Sequence, residues 1–260
     1  MSGQSLPSWF GSGQRSPKAR VTLFCLPFSG GGASAYYRWR KLVPPEIEIS
    51  PVHLPGREAR IQEPLDFSAE MIAQVLADRI DIPYAIYGHS MGARLGFEVV
   101  RCLRAMGAPN PLRFYPGASL PPDMRDPFAA CIKLADGPFI DALIEHLGAP
   151  RELRDVPELR AFQLPLLRHD LGWCHSYRFQ PADALPTTLV AFAGQTDGIA
   201  TPAAMAGWSR HARRCTVVTL PGGHFFLRTC EEQLTSVLRR DLLLALDSDA
   251  APADRSPSVA

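Results

Sequence analysis

The sequence predicts an α/β fold, a mostly parallel sheet flanked by helices, on three observations. Short apolar runs alternate with helical patterns along the chain. One of those runs passes through a glycine-flanked turn straight into a strongly periodic helix. A later stretch of about seventy residues carries helical patterns with no strand signal, which reads as a helical insertion rather than a loop. At 260 residues with 46% hydrophobic and 20% charged side chains, the chain is of a size that buries a large core as a single domain.

The strand candidates are 21–26 (VTLFCL), 48–54 (EISPVHL), 84–88 (YAIYG), 112–118 (LRFYPGA), 187–193 (TTLVAFA) and 215–220 (CTVVTL). The clearest helix is MGARLGFEVVRCLRAMG, where Leu95, Val99, Cys102, Leu103 and Met106 recur at three- and four-residue spacing and Gly107 supplies a stop. A last helix is expected over 231–246. The insertion, about 121–182, would lie over the sheet as a lid. Residues 20–247 then form one domain, between a flexible leader (1–19) and a flexible tail (248–260), both rich in small and polar residues.

Lys plus Arg exceed Asp plus Glu by one, 27 against 26, so no basic footprint for nucleic acid is expected. No apolar run reaches the length of a membrane span, and the N-terminal stretch lacks the apolar core of a signal peptide. The six cysteines are scattered without metal-ligand spacing, as in a reduced cytoplasmic protein. A monomer without metal or organic cofactor is the expectation.

The chemistry centres on Gly88-His89-Ser90-Met91-Gly92. A G-x-S-x-G sequence between a strand and a helix forces a tight turn that exposes the serine hydroxyl, as in the α/β-hydrolase fold. A serine needs a general base, and in that fold the partners follow in the order Ser, Asp or Glu, His. His224, in the glycine loop after the last strand, is the candidate base; His211 reads as solvated beside Arg210, Arg213 and Arg214. His89 would point away from the active face, and His169 and His175 would fall in the lid as candidate substrate contacts. Asp197, after the fifth strand, is the candidate orienting acid, with Asp170 and Asp183 as competitors placed before that strand. The oxyanion donors would be the backbone N–H of Met91 and one from the turn Pro27-Phe28-Ser29-Gly30-Gly31-Gly32, at Ser29 or Phe28.

LPFSGGGAS, HLPGRE, YGHSMGA, LPLLRHD and GGHFFL, in that order, resemble the type II thioesterases, free-standing editing enzymes of polyketide and nonribosomal peptide synthesis. The resemblance spans about 21–246. It implies an α/β-hydrolase with a mobile helical lid that hydrolyses stalled or misprimed acyl groups from the phosphopantetheine arm of acyl or peptidyl carrier proteins. It also implies Ser90 as nucleophile, Asp197 as acid and His224 as base. An esterase or acyltransferase of the same fold, and a non-catalytic hydrolase-fold binding protein, are the alternatives. Phe139, Leu143, Leu147, Phe162, Leu166 and Leu167 would line or cover an acyl pocket in the lid. Arg38, Arg40 and Lys41 would offer a basic docking surface to an acidic carrier.

Overall fold

The computed structural model describes residues 9–11 and 15–250. Six strands form one parallel sheet in the order β2-β1-β3-β4-β5-β6. They are β1 (Val21–Leu26), β2 (Ile47–Pro51), β3 (Tyr84–His89), β4 (Arg113–Gly117), β5 (Leu185–Gly194) and β6 (Ala212–Leu220). The helices are α1 (Ala69–Ala77), α2 (Met91–Ala105), α3 (Asp136–Leu147), α4 (Glu152–Asp155), α5 (Pro157–Ser176), α6 (Pro202–Met205), α7 (Phe226–Thr229) and α8 (Glu231–Ala250).

A parallel sheet is covered on both faces, so its central strands are largely apolar and the two-residue alternation sorts side chains between two cores. On β1, Phe24 and Leu26 join α1 and α2 in one core, while Val21, Leu23 and Cys25 join α8 in the other. The periodic face of α2 packs as expected at Leu95, Val99 and Leu103. Met106 differs: it stands past the helix end and is exposed, because Gly107 at φ 77 turns the chain away.

Two boundaries shift for a physical reason. β6 begins at Ala212 and so includes the exposed Arg213 and Arg214, which a sheet-edge strand accommodates because one flank meets water. β2 stops at Pro51, and Val52–Leu54 leave the sheet into buried loop positions.

Part of the expected leader packs against the sheet. Phe10 is buried against Phe24, and the Arg60 guanidinium lies 4.1 Å from the Trp9 ring centroid. Two aromatic side chains bury enough area to hold a short segment down. Residues 1–8 and 12–14 of the expected leader lie outside the described residues. So does 251–260 of the expected tail, whose first residues, 248–250, instead continue α8.

Between β4 and β5 the chain runs through α3, α4 and α5, which carry a small core of their own at Phe139, Ile140, Leu143, Leu153 and Leu171. Among the described residues no helix is long and apolar enough to cross a membrane. Neighbouring β1 and β3 send their chains to opposite sides of the sheet. The crevice beyond their carboxyl ends is where sheets of this kind bind ligands.

Candidate active site

Ser90 stands alone between β3 and α2, at φ 54 and ψ −116. A non-glycine residue in such a conformation costs on the order of 1–3 kcal/mol. Its N–H donates to the Gly117 carbonyl at 2.8 Å, tying the turn to the end of β4. The motif glycines are demanded by close approach. A Cβ on Gly88 would sit 2.1 Å from the Gly92 carbonyl oxygen, and one on Gly92 would sit 2.4 Å from that of Leu26. Backbone packs on backbone at both sides, and the hydroxyl is left at the strand ends.

The loop after β6 brings His224 to that hydroxyl: Nε2 lies 3.0 Å from Ser90 Oγ, and Nδ1 lies 2.8 Å from Asp197 Oδ2. A carboxylate only accepts, so Nδ1 carries the hydrogen and Nε2 turns its lone pair to the serine O–H. Asp197, in the loop after β5, is buried, and its Oδ1 accepts the N–H groups of Ile199 (2.8 Å) and Ala200 (3.0 Å). Burial alone would raise its pKa. The hydrogen bond and charge of His224, with those two N–H groups, outweigh burial and hold the carboxyl below its ordinary value. Such an arrangement can take the serine proton and stabilise the imidazolium that results.

His89 supports His224 from beneath. Its Nε2–H donates to the His224 carbonyl at 2.8 Å, and its Nδ1 accepts the Tyr87 O–H at 3.0 Å. The strand alternation that turns Ser90 outward does turn His89 away from the cleft, as expected. Its destination, the backbone of the base, becomes evident only when β3 and the 221–226 loop meet.

Complete burial, aided by the nearby His224, lowers the His89 pKa to about 3. An unfolded chain protonates this histidine near 6.5, so between those values the unfolded state holds the extra proton and stability falls as pH is lowered. The depressed Asp197 and Asp170 carboxyls act in a separate, lower window. Their contribution is complete above about pH 4 and is lost only as pH drops through their folded values. Urea unfolding at pH 7, 6 and 5 should therefore show His89→Gln losing less stability on acidification than wild type. The difference should grow by up to about 1.4 kcal/mol per pH unit below 6.5. Parallel stability curves for the two proteins would refute the neutral-histidine assignment.

Three further residues with free backbone N–H groups border Ser90 among the described residues. Met91 opens α2, where helix geometry leaves its N–H without an intrahelical acceptor. Phe28 and Ser29 lie across the cleft, with no acceptor for their N–H groups among the described residues. The next N–H, of Gly30, is taken by Asp170 Oδ2 at 2.8 Å. Asp170 also accepts both Nη groups of Arg57, at 2.8 and 2.9 Å, and Arg57 in turn donates to the Gly31 carbonyl at 3.1 Å. Asp170, on α5, thus joins the lid to the glycine turn and does not approach the base. The Pro55-Gly56-Arg57 sequence, whose role is opaque in isolation, supplies the other half of this buried ion pair.

The remaining candidates sort as follows. His211 is buried, not solvated: its Nε2 lies 2.8 Å from Asp123 Oδ1 and its ring is enclosed by Phe97, Phe179 and Trp208. Its sequence neighbourhood is charged, but three distant aromatics cover it. His169 lies 3.2 Å from Asp170 and edges onto Phe67, and His175 lines a separate groove. Of the lid residues, Leu147 lines the Ser90 cleft, whereas Phe139 and Leu143 fill the lid core. Leu166 and Phe162 border a neighbouring groove, with Phe162 exposed. Leu167 packs over Gly30, where a Cβ would sit 2.6 Å from Leu167 Cδ2. Arg38 is engaged by Glu231 at 3.1 Å, and the Arg40 guanidinium lies over the Tyr37 ring.

Ser90, Met91, His224, Phe28 and Ser29 line one narrow cleft. Three comparisons place it among known proteins. The family model described as "Thioesterase domain" matches residues 21–241. The gramicidin S biosynthesis protein GrsT of Aneurinibacillus migulanus is 33% identical over 248 residues, covering 92% of this chain and 95% of that protein. The RedJ thioesterase from the prodiginine biosynthetic pathway in Streptomyces coelicolor superposes with a TM-score of 0.79 at 32% identity, covering 86% of this chain and 91% of the other. The type II thioesterase BorB from the borrelidin biosynthetic cluster gives 0.76 at 27% identity, covering 90% and 96%. By family model, sequence and fold together, the chain belongs to the thioesterase family.

Proposed function

We propose that this protein is a serine thioesterase that hydrolyses acyl groups from the phosphopantetheine arm of carrier proteins. It would clear stalled or misprimed chains in nonribosomal peptide or polyketide synthesis, acting as a cytoplasmic monomer. The observation that carries the reading is the unbroken hydrogen-bonded line Ser90–His224–Asp197 at the cleft of a thioesterase-family chain.

In this reading His224 Nε2 takes the hydroxyl proton as Ser90 Oγ attacks the thioester carbonyl. The resulting oxyanion is held by the Met91 N–H and one N–H of the Phe28–Ser29 turn, and Asp197 stabilises the imidazolium. Collapse breaks the C–S bond, His224 returns its proton to the departing thiolate, and an acyl-enzyme remains. Water, deprotonated by the same nitrogen, then attacks the ester and releases the acid with Ser90 restored. The leaving thiol has an ordinary pKa of about 8.5, so its expulsion needs little assistance. Arg57 and Asp170 hold the turn that carries the second donor.

The test is acyl release from a carrier protein loaded with acetyl and longer acyl groups, followed by intact-protein mass spectrometry. Wild type should return the free phosphopantetheine form. Intact loads alongside cleavage of small oxygen esters would instead identify an esterase on the same framework.

A further inference from the structure

Two residues of the Ser90 cleft hold buried donors that are poorly satisfied: Arg94, whose Nε has no acceptor, and Ser29, whose hydroxyl meets only the Cys174 thiol. Arg94 stands in the first turn of α2, directly after the Ser90 turn. It is 4% exposed and lines the same cleft. A guanidinium has five N–H groups. Here a single hydrogen bond is made among the described residues, from Nη2 to the Met124 carbonyl at 3.0 Å. One face lies against the Tyr177 ring, 5.0 Å from its centroid. Nε is sealed from solvent without an acceptor. Asp126 shares the cleft wall but makes no ion pair with Arg94, and its Oδ1 accepts the Phe128 N–H at 2.9 Å.

Across the cleft, the Ser29 hydroxyl is likewise sealed, and its one neighbouring partner is the Cys174 thiol, a weak acceptor. The buried Cys174 thiol beside it stays protonated, because burial pushes its pKa up to about 12, so it brings no negative charge. Both poorly satisfied donors belong to residues that line this one cleft. Leaving a buried guanidinium N–H unpaired, and a hydroxyl with only a thiol, is costly unless something that enters the cleft supplies the acceptor.

We propose that the cleft selects acyl groups bearing a hydrogen-bond-accepting oxygen (oxo, hydroxyl or carboxylate) within a few bonds of the thioester carbonyl, read by Arg94 and the Ser29 hydroxyl. A plain alkyl chain of equal length leaves the Arg94 Nε–H unpaired and the Ser29 hydroxyl with only the thiol. A site built around donors discriminates against the analogue that lacks the acceptor more strongly than an apolar pocket discriminates between chain lengths. The inference rests on the thioesterase reading above.

The test compares kcat/KM for four N-acetylcysteamine thioesters: butanoyl, 3-hydroxybutanoyl, 3-oxobutanoyl and 3-carboxypropanoyl. For each oxygenated substrate the ratio to butanoyl is taken in wild type and divided by the same ratio in Arg94→Met, which cancels intrinsic reactivity. The expected quotient is about 10 to 100 for Arg94→Met, as for a charge-assisted hydrogen bond, and about 3 to 10 for Ser29→Ala. Ser29→Ala removes one small hydroxyl, keeps its backbone N–H, and carries the comparison alone should Arg94→Met not fold. A preference confined to 3-carboxypropanoyl assigns the recognition to charge pairing. One shared with the oxo and hydroxyl substrates assigns it to the acceptor oxygen, and either upholds the proposal. Equal treatment of all four thioesters by wild type, or quotients within about twofold of one for the variants that fold, overturns it while leaving the thioesterase reading intact. Cleavage of oxygen esters with no thioester hydrolysed overturns both.

Discussion

Replacing Ser90 by Ala is expected to slow acyl release from a loaded carrier by at least about 10⁴-fold with the fold unchanged. The hydroxyl is the only atom removed, and its hydrogen-bond partner, His224 Nε2, borders the cleft rather than being sealed in the core. Replacing Ser90 by Gly should be equally inactive but more stable than Ser90→Ala, by about 1 kcal/mol. At φ 54 an alanine keeps the steric cost of its Cβ, and a glycine does not. The relief exceeds the unfolded-state entropy that glycine adds, which is about 0.4–1 kcal/mol. Acyl release by mass spectrometry and thermal unfolding of the three proteins check both halves. Substantial residual turnover by Ser90→Ala would remove Ser90 from the chemistry. Equal melting temperatures for the Ala and Gly variants would show that the turn carries no strain.

The second large effect is expected at Asp170, which is completely buried and lies outside the hydrogen-bonded line to Ser90. It holds Arg57, itself 3% exposed, through two hydrogen bonds and the Gly30 N–H through a third. Burial works to raise its pKa, but His169, Arg57 and the Gly30 N–H prevail and keep the carboxylate ionised. Removing one partner of a buried pair leaves the other charge uncompensated, at a cost of about 3–5 kcal/mol. Set against a typical total of about 5–15 kcal/mol, that is a large fraction of the stability. Asp170→Ala should therefore shift the urea midpoint strongly. The milder Asp170→Asn should fold and lose kcat more than it raises KM, because the glycine turn that carries Phe28 and Ser29 loses its anchor. A change below about 1 kcal/mol in Asp170→Ala would mean that water or a shifted Arg57 replaces the carboxylate.

Much of this was legible in the chain. Glycines at 88 and 92 on either side of a serine, between an apolar run and a periodic helix, admit one local solution, since a Cβ at either glycine collides with backbone. The order of the motifs placed Asp197 and His224 after the strands that carry them, because a parallel sheet presents successive loops at one edge. Apolar alternation located six strands, and only the flanks moved, where the exposed arginines of β6 hid an edge strand behind a charged pattern.

Local pattern failed where a residue's environment is assembled from distant segments. His211 looks solvated among arginines, yet Phe97, Phe179 and Trp208 enclose it. Arg57 and Asp170 are 113 positions apart and Arg94 and Met124 are 30 apart, separations over which sequence periodicity carries no information. By itself the sequence determined the fold class, the turn that exposes Ser90 and the order of its candidate partners. These follow from short-range sterics and from alternation along one element. Only the tertiary structure decided that Asp170 serves the glycine turn, that His89 holds the His224 backbone, and that Arg94 and Ser29 line the cleft with poorly satisfied buried donors. Burial and hydrogen-bond satisfaction belong to the packed assembly and have no counterpart along the chain.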